Sequence, residues 1–150
     1  MVDKQILKIK TNIMKSTIPK ELIAAYLTTK FMVFHPKFTI YIDKICPELN
    51  ELLIQEEAKV WAYITSVNPN SEMLSDEENQ QLLQELKESV KDYKFYEGHG
   101  VGTDPAWQPE KSMLIIGIPR EEAIRIGNYY KQNAIVAGRL NNPAELILLV

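Results

Sequence analysis

The sequence predicts a single α/β domain: a mixed β-sheet of about five to six strands, helices packed on it and a C-terminal β-hairpin. Three observations carry that prediction. Short runs of β-formers alternate with longer stretches of helical periodicity, the pattern of strands returned by helices. The run 112–118 is almost wholly apolar, and 58–66 alternates Val60, Ala62 and Ile64 with Trp61, Tyr63 and Thr65, so both read as strands covered on both faces. At 150 residues, 45% apolar and 25% charged, the chain suits one core and neither disorder nor a fibrous class.

In chain order, residues 3–15 place Ile6, Leu7, Ile13 and Met14 on one side of a short helix, with Lys4, Lys8 and Lys15 elsewhere on the wheel. Residues 1–18 are read as an N-terminal extension and 19–150 as the domain. Thr17 and Pro19 start the first domain helix, because proline at its beginning gives up a donor that would be unpaired anyway; Leu22, Ile23, Tyr26 and Leu27 line one face. The β-formers at 38–42 make a strand introduced by His35 and Pro36. Pro47 opens a helix burying Leu49, Leu52 and Leu53, and the strand at 58–66 follows it.

Ser75 and Glu78 have the S-x-x-E spacing of a capping box, which predicts a helix whose core face is Leu82, Leu83, Leu86 and Val90. Asn79 falls on that same face, and an unpaired buried amide would cost roughly 1–3 kcal/mol. It must bond to something near the end of the 58–66 strand, and the turn at 68–71 is the natural partner. Residues 93–97 make a short strand; Gly98, Gly100 and Gly102 then read as turn residues, since no helix start stands behind them to complete a phosphate loop. After the 112–118 strand, Pro119 starts a helix with Glu121 and Glu122 at its positive end and Ala123, Ile126, Gly127 and Tyr130 facing inward. Residues 134–138 and 144–149 form the terminal hairpin around Asn141, Asn142 and Pro143.

Composition narrows function by exclusion. A net charge of −3 and a pI near 5.5 lack the clustered Lys and Arg that nucleic acid demands. Cys46 is the single cysteine, so no internal disulfide forms, and with only His35 and His99 beside it no zinc site is assembled. The opening residues lack the apolar core of a signal peptide, and there is no run of about 18 apolar residues, so neither export nor membrane insertion is expected. A reducing cytoplasm is the expected setting. The sequence leaves any cofactor unknown: paired carboxylates could hold a hard cation such as Mg²⁺, though nothing has the spacing of a recognised metal loop.

The order of motifs resembles the bacterial domain-of-unknown-function 3293 family. The matching residues are Ala25, Tyr26 and Thr29; Ile64 through Pro69; Ser75 with Asn79; Glu97 and Gly98; Trp107 through Ser112; and Gln132 through Ile135. They cover about residues 20–150. Where the family tends to have alanine and an aromatic before Asn-Pro, this chain has Ser66 and Val67. The resemblance implies a domain and no established activity.

If the strands ending at Ser66 and Glu97 are parallel neighbours joined by the capped helix, the right-handed crossover rule puts both ends on one edge of the sheet. The 112–118 strand would start on that edge, and its following helix would return Gln132 there. Thr65, Asn68, Asn79, Glu97, Asp104, Trp107, Glu110, Ser112, Gln132 and Asn133 would then meet on one rim, where open α/β sheets bind ligands. The expected function is a pocket for a small polar molecule, catalytic or not. Glu97 or Glu110 would be the general base and Thr65, Asn68, Asn79, Asp104, Trp107, Ser112, Gln132 and Asn133 the ligand-binding residues. Asp104 before Pro105 could equally form an Asx-turn, and Trp107 could cap the core. The alternative function is a protein-interaction module that engages a partner or itself through the 98–111 loop, with Trp107 and Tyr96 as anchors, or through the N-terminal helix.

Overall fold

The computed structural model describes residues 17–150, so the helix expected at 3–15 lies outside the described residues. Four helices and seven strands follow one another as α1 (Lys20–Leu27), β1 (Lys30–Val33), β2 (Phe38–Ile40), α2 (Pro47–Gln55), β3 (Val60–Ile64), α3 (Asp76–Ser89), β4 (Lys94–Val101), β5 (Glu110–Ile116), α4 (Arg120–Tyr129), β6 (Ala134–Arg139) and β7 (Glu145–Leu148). Pro47 opens α2 from its first position, as expected, whereas Pro19 and Pro119 stand just outside α1 and α4.

The strands form one sheet in the order β2-β1-β4-β5-β3-β6-β7. The α/β domain and its terminal hairpin, β6 with β7, are as predicted; the sheet has seven strands, one more than the upper expectation. Among the described residues every paired ladder is antiparallel, and parallel pairing is confined to the bridge between Ile42 and Ala144. The expected parallel contact of β3 with β4 is corrected, because β5 inserts between them: Met113 pairs with Ile64 on one side and Glu97 on the other. β3 and β4 still run in the same direction, since both oppose β5. Their carboxyl ends therefore reach one edge, and the edge argument survives the change of topology.

Two further corrections concern β1 and β4. The run Lys30–Val33 is a strand the sequence reading passed over, four residues being too few for periodicity to speak. Gly98 and Gly100 are not turn residues but lie within β4, which extends to Val101. A Cβ at Gly98 would stand 1.9 Å from the Met32 carbonyl oxygen, so only glycine lets β1 come this close.

That approach reports strong curl. β1 and β3 are separated by two intervening strands, yet the Phe31 and Tyr63 rings meet edge to face at 5.5 Å and the Tyr63 hydroxyl donates to the Met32 carbonyl at 2.7 Å. Ile42 and Ala144 then bring the two outer ends of the sheet together, with Asp43 N–H donating to the Ala144 carbonyl at 2.8 Å. The concave face packs Phe31, Val33, Ile40, Trp61, Tyr63, Leu114 and Val136 against Leu49, Leu52 and Leu53 of α2. On the convex face, Ala62, Ile64, Met113, Ile115 and Ile135 meet Leu83 and Leu86 of α3 and Ala123 and Ile126 of α4. At roughly 1.5–3 kcal/mol for each large side chain removed from water, these two clusters supply the main stabilising term. The carboxyl-end edge of β3 lies between them.

Candidate functional site

β3 ends at Ile64, and the chain then turns through Thr65, Ser66, Val67 and Asn68. Asn68 adopts left-handed backbone at φ 47°, which asparagine tolerates better than most residues, and Asn70, Ser71 and Lys131 share that region. Such a turn holds only if its surroundings bond it firmly. They do so from three directions.

From α3, Asn79 Oδ1 accepts the Asn68 backbone N–H at 2.9 Å, and Asn79 Nδ2 donates to Asn68 Oδ1 at 2.9 Å. This is the partner anticipated for Asn79. The capping box that starts α3 is also present, Ser75 Oγ accepting the Glu78 N–H and Glu78 Oε1 accepting the Ser75 N–H. From the residues after α4, Gln132 Nε2 donates to the Val67 carbonyl at 3.1 Å, Asn133 Nδ2 to Ser71 Oγ at 2.8 Å, and the Lys131 carbonyl accepts the Asn70 N–H at 2.8 Å. From β5, Glu110 Oε2 accepts a bond from Asn68 Nδ2 at 3.0 Å.

Above this braced turn lies a cleft of about 1150 Å³ on the concave side of the rim. Thr65, Asn68, Asn79, Asp104, Trp107, Glu110, Ser112 and Gln132 all line it, drawn from β3, α3, the loop after β4, β5 and the residues after α4. Several of these groups are already committed. Thr65 Oγ1 donates to the Lys111 carbonyl at 2.6 Å, Ser112 Oγ donates to the Glu110 carbonyl at 2.9 Å, and Asp104 Oδ1 accepts the Ala106 N–H in the Asx-turn foreseen for it.

Glu110 differs from them. One of its oxygens is held by Asn68, and the other has no partner among the described residues. Burial pushes its carboxyl above the usual range, with the Asn68 amide the lesser, opposing influence. It is a half-buried carboxylate facing the cleft, with no cation paired to it among the described residues. Trp107, 57% exposed, stands on the same wall and does not cap the core.

Two expected site residues are placed elsewhere. Glu97 shares the convex face with Met113 and pairs with Lys87 of α3 at 2.7 Å, outside the cleft, because it falls an odd number of residues from Gly100 and so points to the other side of the sheet. Asn133 braces Ser71 from behind the cleft wall. Tyr96 is not an exposed loop anchor either: it lies in β4, its hydroxyl donates to Glu56 at 2.9 Å, and its pKa is pushed up to about 12, chiefly by burial. His99, expected in a loop, packs edge-on against Phe34 at 4.8 Å. Cys46 stands at the start of α2 with its thiol pushed up to about 11 by burial, so the helix end does not activate it.

The sequence reading missed the cleft's opposite wall. Tyr26, Thr29, Phe31 and Tyr63 line it from α1, β1 and β3. The sequence reads Tyr26 only as one of four residues lining one face of its helix, and Phe31 belongs to the strand the sequence reading passed over. The alternation of Phe31 and Val33 with Lys30 and Met32 is the signal that could have revealed β1. Among the described residues there is no group of three or more His, Cys, Asp or Glu side chains able to hold a metal ion, and no helix is long and apolar enough to cross a membrane.

Residues 64–135 match the sequence profile of the family described as Protein of unknown function (DUF3293). The resemblance therefore holds over the stretch that carries Asn68, Asn79, Glu110 and Gln132. No curated protein and no solved structure matches the chain.

Proposed function

We propose that the cleft binds a small polar molecule, with Glu110 as its principal polar contact. The observation that carries this reading is the division of labour on the rim: Asn79, Gln132 and Asn133 are occupied in bracing the turn, and that bracing aims Asn68 at Glu110. Bonds from α3 and from the residues after α4 hold the turn whose Asn68 meets one half-buried carboxylate, in a cleft large enough for a metabolite. Fixing a ligating group through a second layer of hydrogen bonds is how binding sites obtain precision.

Of the two carboxylates expected to act as a general base, Glu110 alone faces the cleft, and any proton abstraction belongs to it. Glu97 is engaged with Lys87. The lone cysteine is in keeping with a reducing, cytoplasmic setting.

The test is a thermal-shift screen of the protein against nucleotides, sugars, amino acids, polyamines and divalent ions. A binder at a hundred times its dissociation constant adds about 2.7 kcal/mol. A stabilising compound whose effect is lost in folded Trp107→Ala protein supports the reading. Compounds that stabilise both proteins equally, or no stabilising compound at all, contradict it.

A further inference from the structure

Glu110 and Gly100 are direct cross-strand partners, and so are Gly100 and Phe31. Residues opposite one another in antiparallel strands share a face, so a carboxylate, an absent side chain and an aromatic ring stand in one row across the cleft floor. A Cβ placed at Gly100 would touch only Thr29 Cγ2 at 3.6 Å and Phe31 Cδ1 at 3.9 Å, both ordinary contacts. Unlike Gly98, this glycine is not required by a neighbouring backbone. It leaves an empty position between an acid and a ring whose strands lie two spacings, about 9.6 Å, apart.

The walls around the gap favour one sign of charge. Glu21, Asp76 and Asp104 line the cleft with Glu110, against Lys111 as its single basic residue among the described residues. The positive ends of α1 and α3 both reach the cleft, where they would ordinarily attract an anion. Each is screened by its own carboxylates, Glu21 in the first turn of α1 and Asp76, Glu77 and Glu78 in that of α3, and the Ser75 capping box occupies backbone donors of α3. An anion would find one lysine and four acids. A cation would find a carboxylate oxygen with no partner among the described residues and, across the empty position at Gly100, an aromatic ring.

Resting on the reading of the cleft as a binding site, we infer that its ligand is an organic cation, an ammonium or guanidinium group on an apolar body, with the charged head seated at Gly100 between Glu110 and Phe31. The apolar body lies along Tyr26 and Trp107.

The experiment is calorimetric titration of the full chain with four isosteric probes: benzylamine, benzylguanidine, benzyl alcohol and phenylacetate. The two cations should bind at least about tenfold more tightly than the alcohol, and phenylacetate most weakly. Glu110→Gln should remove the preference for charge, and Gly100→Val, which fills the gap and leaves every charge in place, should abolish cation binding while thermal melting stays near that of the unaltered chain. If either variant fails to fold, the ranking of the four probes on the unaltered protein decides alone. Binding of phenylacetate or benzyl alcohol as tight as that of the cations overturns the cation assignment while leaving a binding cleft. Absence of binding by all four overturns the cation assignment, and the broader screen then decides the cleft.

Discussion

Replacing Asn79 by alanine should destabilise the protein by about 2–3 kcal/mol. Two hydrogen bonds are lost, at about 0.5–1.5 kcal/mol each, and one of them leaves the part-buried Asn68 N–H without an acceptor, which carries its own desolvation cost. The Asn68 side chain keeps its bond from the Leu74 N–H, so the turn loosens without being abandoned. For a domain of this size about 2–4 °C accompanies each kcal/mol, so the melting temperature should drop by roughly 5–10 °C. Equilibrium urea unfolding reads the free energy directly. A double-mutant cycle with Asn68→Gly, which keeps the left-handed backbone accessible, should give a coupling of at least about 1 kcal/mol. A loss under about 0.5 kcal/mol for Asn79→Ala, or no coupling with Asn68, would refute the view that this amide pair holds the rim.

Three other outcomes follow from the same structure. Ser66 is fully buried and its hydroxyl has no hydrogen-bond partner among the described residues, so Ser66→Ala should be neutral or stabilising by up to about 1 kcal/mol in urea unfolding; a clear loss would mean the hydroxyl is bonded. Gly98→Ala must displace the Met32 carbonyl and should cost at least about 2 kcal/mol, whereas Gly100→Ala should stay within about 1 kcal/mol of the unaltered chain. Equal effects at the two glycines would argue against the curl at β1. The raised pKa of Glu110 fixes a sign: the folded state holds its proton more tightly than the unfolded state, where the value is near 4.5, so the carboxylate lowers stability as pH rises from there through the folded pKa. Measured against Glu110→Gln, the unaltered protein should therefore lose relative stability across that window and level off above it; an opposite slope would place a cation beside the carboxylate.

Much of the fold was legible in the sequence because it is written locally. The capping box at Ser75 and Glu78, Pro47 at the start of α2, and the apolar run of β5 each act through residues a few positions apart. The order of strands is not local. Whether β4 pairs with β3 or with β5 depends on contacts distant in sequence, and the right-handed crossover rule describes parallel neighbours, which this sheet lacks. The rim was nevertheless placed at the correct edge, because chain direction survives the insertion of β5. Glu97 was placed at that edge too, but on the wrong face: alternation along a strand can be read only once its neighbours are known, and Gly98 and Gly100 carry no side chain to mark the pattern. The same glycines hid the extent of β4, since glycine is depleted in strands and the reason for Gly98, the approach of Met32, lies some sixty-six residues away in the chain.

The cleft organised on Asn68 and Glu110 is the proposed ligand site of this protein. Backbone-amide NMR of the labelled protein titrated with benzylamine tests it most directly, because every segment of the rim reports separately. Shifts are expected to concentrate at Glu110, Gly100, Phe31 and the Trp107 indole N–H, with the buried Trp61 indole N–H unmoved. Shifts concentrated instead around Phe34, Lys87 and Glu97 on the far side of the sheet would contradict it.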